Sequence, residues 1–186
     1  MSISEVLQRI MTTLDQNKVA YMLTGSFASA YYGTPRSTQD IDVILEATGE
    51  QLRGFVQSLP LDQYYSDVDA ALQAHKAESM FNVIDLSTGW KIDFIMRKSR
   101  PFSREELSRR VRVNLQGVPL FVASAEDIII AKLEWSKLAR SQRQIEDAAA
   151  IVRAQRKTLD RSYIEKWTRE LGVEDEWAKA LGAAGI

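Results

Sequence analysis

Apolar positions in the first sixty residues switch between two periods. In ISEVLQRIMTTLDQ, Val6, Leu7, Ile10, Met11 and Leu14 recur at the spacing of a helix with one buried face. AYMLT is short and almost wholly apolar, which predicts a strand. Gly25 and Ser26 break that strand and open a second helix through SFASAYYG, which Gly33 and Pro35 bring to a stop. DIDVILE reads as the next strand, followed by a helix from Gly49 to Ser58 and a polar stretch with Pro60 and several aspartates. MFNVIDLSTGWKIDFIMR predicts two strands joined at Ser87 to Gly89. After a helix at Ser103 to Ser108, RVRVNLQGVPLFVAS predicts a hairpin turning at Gln116 and Gly117.

Beyond Ala123 the pattern becomes helical throughout. Ser124 followed by Asp127 resembles a capping box at a helix start, and four helical segments follow: AEDIIIAKLEWSKLA, RQIEDAAAIVRAQ, DRSYIEKWTRELG and EDEWAKALG. The chain thus reads as an α/β portion, residues 1–122, and a helical region, residues 123–186. At 186 residues it is long enough for one well-buried core, or a core with a small helical appendage, and too short for two ordinary domains, so one compact unit is expected. Trp135, Trp167 and Trp177 fall on helical faces and are predicted to be core; His75, in a polar stretch, is predicted to lie at the surface.

Composition narrows the chemistry. No cysteine is present and only one histidine, so thiol nucleophiles, iron–sulfur clusters and Cys/His zinc sites are excluded. No apolar run reaches membrane-spanning length, and MSISEVLQRI carries charge where a signal peptide needs an unbroken apolar stretch. The expectation is a cytoplasmic protein without a membrane partner. A formal net charge of −1 gives no global basic field, but Arg97, Lys98, Arg100, Arg104, Arg109, Arg110 and Arg112 form a local one, opposed by Glu105 and Glu106. A solvated face is the plainer reading of that segment; a nucleic-acid acceptor is the functional one.

The sharpest chemical signal is RSTQDIDVIL. Alternate strand residues share a face, so Asp40 and Asp42 project together, and two such charges about 5 Å apart repel by roughly 3 kcal/mol at an effective dielectric near 20. Something cationic should sit between them. Asp93, in WKIDFIM, is a third acid at mid-strand, where burial without a partner is costly. If its strand runs beside DIDVIL, three carboxylates meet, and hard oxygen donors select Mg2+ or Mn2+. Asp85 is the rival third ligand, although it lies beside a turn that it could cap. The Gly25–Ser26 turn at a helix start suits a phosphate, with Arg36 available to grip an oxygen.

GSFASAYYGTPRSTQDIDVIL resembles the signature of the DNA polymerase beta-like nucleotidyltransferase superfamily. The spacing of Gly33, Arg36, Thr38, Asp40 and Asp42 is most similar to the bacterial branch containing the abortive-infection AbiE-type toxins. KIDFIM matches the superfamily's third aspartate at Asp93. AEDIIIAKLEW and RQIEDAAAIV resemble a helical region of that branch in which a lysine and a later aspartate recur, here Lys132 and Asp147. The last motif departs from the branch, with Gln144, Ile145 and Glu146 before Asp147.

The resemblance implies an α/β (α+β) nucleotidyltransferase fold: a small mixed β-sheet flanked by helices, with a C-terminal helical bundle. It implies Mg2+- or Mn2+-dependent transfer of NMP from an NTP such as ATP to a hydroxyl acceptor. Asp40, Asp42 and Asp93 would be catalytic and metal-binding; Gly25, Ser26, Arg36, Thr38, Lys132 and Asp147 would bind the nucleotide. A tRNA end or other RNA, a protein hydroxyl or a small molecule such as an aminoglycoside could be the acceptor, and a toxin–antitoxin pair the setting. The rival from another class is a catalytically silent module of the same fold that binds nucleotide or a protein partner.

Overall fold

The computed structural model describes residues 2–33, 38 and 40–186. Arg36 lies outside them. Helix α1 (Ile3–Gln16) begins in a capping box: the Ser2 hydroxyl accepts from the Glu5 amide while the Glu5 carboxylate accepts from the Ser2 amide. Its apolar stripe is fully buried. Strand β1 (Ala20–Thr24) leads directly into α2 (Gly25–Tyr32), and β2 (Asp40–Glu46) is followed by α3 (Gly49–Gln57), β3 (Tyr64–Tyr65) and α4 (Val68–Ala77). Then come β4 (Met80–Asp85), β5 (Lys91–Met96), α5 (Pro101–Ser108), β6 (Val111–Leu115) and β7 (Val118–Val122).

Among the described residues the strands form one mixed sheet in the order β3-β4-β5-β2-β1-β7-β6. β2 lies antiparallel to β1 and parallel to β5. That parallel pair is the structural fact on which the site depends. On one face of the sheet, Ile41, Val43 and Leu45 of β2 and Ile92, Phe94 and Met96 of β5 are buried. Phe94 is held edge-on by Phe55 of α3 and stacked on Phe81 of β4, each with ring centroids 5.2 Å apart. The alternate residues of both strands, Asp40, Asp42, Lys91 and Asp93 among them, take the other face.

The chain divides into two compact units. One comprises the described part of Met1–Ser26 with Thr38–Val122 and contains the whole sheet; the other comprises the described part of Phe27–Ser37 with Ala123–Ile186. The boundary falls within α2. The second unit adds α6 (Ala125–Ala139), α7 (Gln142–Gln155), α8 (Arg161–Leu171) and α9 (Glu174–Ala184). Its buried residues include Leu133, Ile145, Ala149, Val152, Ile164 and Trp167. No helix among the described residues is long and apolar enough to cross a membrane.

Two expectations need correction. The polar stretch after Pro60 contains a short strand and a helix, β3 and α4. Asp67 caps α4 by accepting from the Asp69 and Ala70 amides, and only the small side chains Ala71 and Ala74 are fully buried. Trp167 and Trp177 are core, as expected, but Trp135 is 60% exposed. α6 carries apolar residues around most of its circumference, so periodicity does not say which of them faces out.

Asp85 caps the β4–β5 turn, accepting from the Ser87 amide and hydroxyl and the Thr88 amide, and it pairs with Arg9 of α1. Burial opposes its charge, but the bonds from Ser87 and Thr88 and the Arg9 guanidinium outweigh it, and its pKa is lowered from 3.8. A lowered folded-state pKa contributes stability that is complete above the unfolded value and lost as pH falls through the folded one. Urea midpoints measured from about pH 5 down to about pH 2 should therefore fall less steeply in Asp85→Asn than in the wild type.

Candidate active site

The site is built where the carboxyl end of β1 meets the amino ends of β2 and β5. Thr24 of β1 is in register with Asp42, and Asp42 in turn with Asp93; Asp40 is in register with Lys91. Partners in register on adjacent strands share a face, so Asp40, Asp42 and Asp93 lie on one side of the sheet. Their environments differ. The Asp40 side chain is 52% exposed, whereas that of Asp93 is 9% exposed.

Lys91 is the residue that sequence reasoning missed. Its ammonium lies 2.9 Å from Asp93 Oδ2 and 3.4 Å from Asp40 Oδ1, bridging the two acids. The hydrogen bond to Asp93, reinforced by the charges of Asp93 and Asp40, raises its pKa above the ordinary lysine value against a smaller opposing effect of burial. The cation demanded by the clustered carboxylates is thus supplied from within the chain. The signal was in K-I-D: strand alternation places Lys91 on the face of Asp93 by the same rule that pairs Asp40 with Asp42.

Lys91 leaves part of the site unsatisfied. Asp93 Oδ1 is buried and has no hydrogen-bond partner among the described residues. No group of three or more His, Cys, Asp or Glu among the described residues is placed to hold a metal ion as it stands. The donor set nevertheless suits one: hard carboxylate oxygens on one face, one of them buried and without a hydrogen-bond partner among the described residues.

Gly25 closes the site from β1. Its φ is +63°, in the left-handed region, and a Cβ there would stand 1.9 Å from Asp42 Oδ2. Only glycine meets both conditions. Ser26 follows at the start of α2. Thr38 holds the entry to β2, its hydroxyl accepting from the Asp40 amide and donating to the Asp40 carbonyl, both at 3.3 Å. In that position it orients the strand that carries the acids.

Lys132 and Asp147 belong to the second unit, where they pair with each other. Lys132 Nζ lies 2.8 Å from Asp147 Oδ2 and donates to Gln144 Oε1 at 3.1 Å, with the lysine side chain 7% exposed. The ammonium is therefore neither wet nor isolated. In the basic segment, several arginines have partners at home. Arg97 binds Glu46; Arg100 donates to Ser103 and lies over Phe102; Arg110 donates to the Leu107 carbonyl and lies over Phe121. Lys98, Arg104 and Arg112 are the exposed cations of that stretch.

Comparison with known proteins places this architecture in a class. The architecture is a nucleotidyltransferase fold. It is similar to that of an antigenic nucleotidyltransferase-like protein from Paracoccidioides brasiliensis, with a TM-score of 0.54, 14% identity, and coverage of 97% of this chain and 92% of that one. It is also similar to the antibiotic-resistance factor ANT(2'')-Ia in solution, with a TM-score of 0.57, 13% identity, and coverage of 94% and 96%. For the crystal structure of ANT(2'')-Ia in complex with adenylyl-2''-tobramycin the TM-score is 0.59 at 14% identity, covering 92% and 97%. Residues 1–181 match the model of the family described as nucleotidyltransferase of unknown function (DUF6036), and the chain belongs to that family. No curated protein matches the sequence.

Proposed function

We propose that the protein transfers a nucleoside monophosphate from an NTP to a hydroxyl acceptor. The observation that carries this reading is the register of Asp42 with Asp93, which brings the third acid onto the face of the D-x-D pair beside the Gly25 turn. Asp40, Asp42 and Asp93 would hold a divalent cation, Mg2+ or Mn2+, which when bound neutralises triphosphate charge and acidifies the acceptor hydroxyl.

The chain's own residues bind and orient. Gly25 brings the main chain against Asp42, and the positive end of the α2 dipole favours phosphate there. The resemblance assigns Ser26, Arg36, Thr38, Lys132 and Asp147 to the nucleotide as well. Asp93, buried on the face of Asp42, accepts the proton of the acceptor hydroxyl. The oxygen attacks the α-phosphorus, the bond to the bridging oxygen breaks, and pyrophosphate leaves with that electron pair. Positioning and charge account for the rate.

The spacing from Gly33 to Asp42 supports the AbiE-type branch, and with it a toxin–antitoxin setting. The acceptor belongs to this proposal too: the exposed Lys98, Arg104 and Arg112 favour RNA. The rival reading, a silent binding module, draws on Lys91, which already neutralises part of the acidic face. Incubation with each α-labelled NTP and a total cell extract separates the two. Transfer predicts label in one macromolecular or small-molecule fraction, abolished by Asp42→Ala. A silent module predicts nucleotide binding without label or pyrophosphate.

A further inference from the structure

We propose that Lys91 is a resident counter-ion that keeps divalent cations out of the acidic face until nucleotide arrives. This inference rests on the reading of Asp40, Asp42 and Asp93 as cation ligands. It arises from the positions of four side chains. Lys91 stands on β5 opposite Asp40 and two residues before Asp93, so its stem lies on the sheet face that bears all three acids. Its ammonium contacts the oxygens of two of them.

Asp40 and Asp93 share one ammonium, which leaves that pair short of one positive charge. A free divalent ion supplies that charge but meets a like charge already in place, since the Lys91 ammonium stands 2.9 Å from Asp93 Oδ2, on the same carboxylate as the unpartnered Oδ1. An ion that arrives with a triphosphate meets a different balance. The polyphosphate gives the displaced ammonium an anion to turn toward, so Lys91 releases Asp93 without being left unpaired.

Lys91 is suited to the exchange. It has a flexible stem and a compact charge, and its side chain is 38% exposed, which leaves it room to swing away. Asp93 cannot do the same. Its side chain is buried and its second oxygen has no hydrogen-bond partner among the described residues. Lys91 is therefore the moving part and Asp93 the fixed one. Because nucleotide would be needed to release Lys91, cation binding becomes coupled to nucleotide binding by the same factor in both directions.

The test is Mn2+ binding without nucleotide, followed by the electron paramagnetic resonance signal of the free ion. Lys91→Met should bind Mn2+ at least about tenfold more tightly than the wild type, and Lys91→Arg should bind like the wild type. Adding Asp93→Asn to Lys91→Met should abolish the gain. Lys91→Gln provides the same comparison should methionine impair folding. Equal or weaker binding by both neutral variants would overturn the role of Lys91. If the wild type binds Mn2+ and Asp93→Asn does not, the reading of the acids survives that failure. Failure of every variant to bind at millimolar Mn2+ would sink both.

Discussion

Asp93→Asn is expected to lower nucleotidyl transfer by about a thousandfold or more, with the fold retained. The substitution keeps the volume of the side chain on β5 and removes its charge and its ability to accept a proton. Asp93 is asked to supply two things at once: a carboxylate on the face of Asp42, and a base for the acceptor hydroxyl. General-base assistance alone contributes about 10²–10⁴ in rate. The loss of the base should appear in kcat, and the loss of a cation ligand should raise KM for the NTP as well, because cation and nucleotide binding are coupled. Single-turnover transfer of an α-labelled NTP, with circular dichroism of the same sample, measures the effect. Transfer within tenfold of the wild type would remove Asp93 from the mechanism.

Gly25→Ala comes second. A non-glycine residue at φ +63° costs about 1–2 kcal/mol in backbone strain. The larger effect is local, because the new Cβ would stand 1.9 Å from Asp42 Oδ2 and must push the carboxylate or the turn aside. A misplacement of about 1 Å in a reacting constellation can cost about a hundredfold, so transfer should fall at least that far. Gly89→Ala is the control. Its φ is +75° and nothing lies within 4 Å of an added Cβ, so it bears the backbone cost without touching the acids. Thermal melts should show a loss for both variants, whereas transfer should fail in Gly25→Ala alone. Equal activity in the two would mean that the contact between Gly25 and Asp42 does not matter.

What the sequence made legible follows from the range of the forces involved. Strong periodicity marked α1 and the apolar strands, because one buried face writes itself into the chain every 3.6 or 2 residues. Helix α4 escaped because its buried stripe is alanine, which leaves little hydrophobic contrast. Asp40, Asp42 and Asp93 stood out as charges in apolar runs. That they share one face was a matter of pairing between β2 and β5, which no local pattern contains.

Lys91 shows the same limit from the other side. Its place beside Asp93 was readable from alternation, whereas its contact with Asp40 required the register. Lys132 and Asp147 lie on consecutive helices; Lys132 stood out as a charge among apolar neighbours, whereas Asp147 was pointed to by the family resemblance alone. That they bind each other is a consequence of how α6 and α7 pack.

The central claim is that the acidic face transfers a nucleotidyl group. Two parallel incubations with the acceptor-bearing extract, one with α-labelled and one with γ-labelled NTP, test it most directly. The account predicts that the acceptor takes up α-label, never γ-label, with one pyrophosphate released for each label incorporated. Incorporation of γ-label, or release of pyrophosphate without incorporation of α-label, would contradict it.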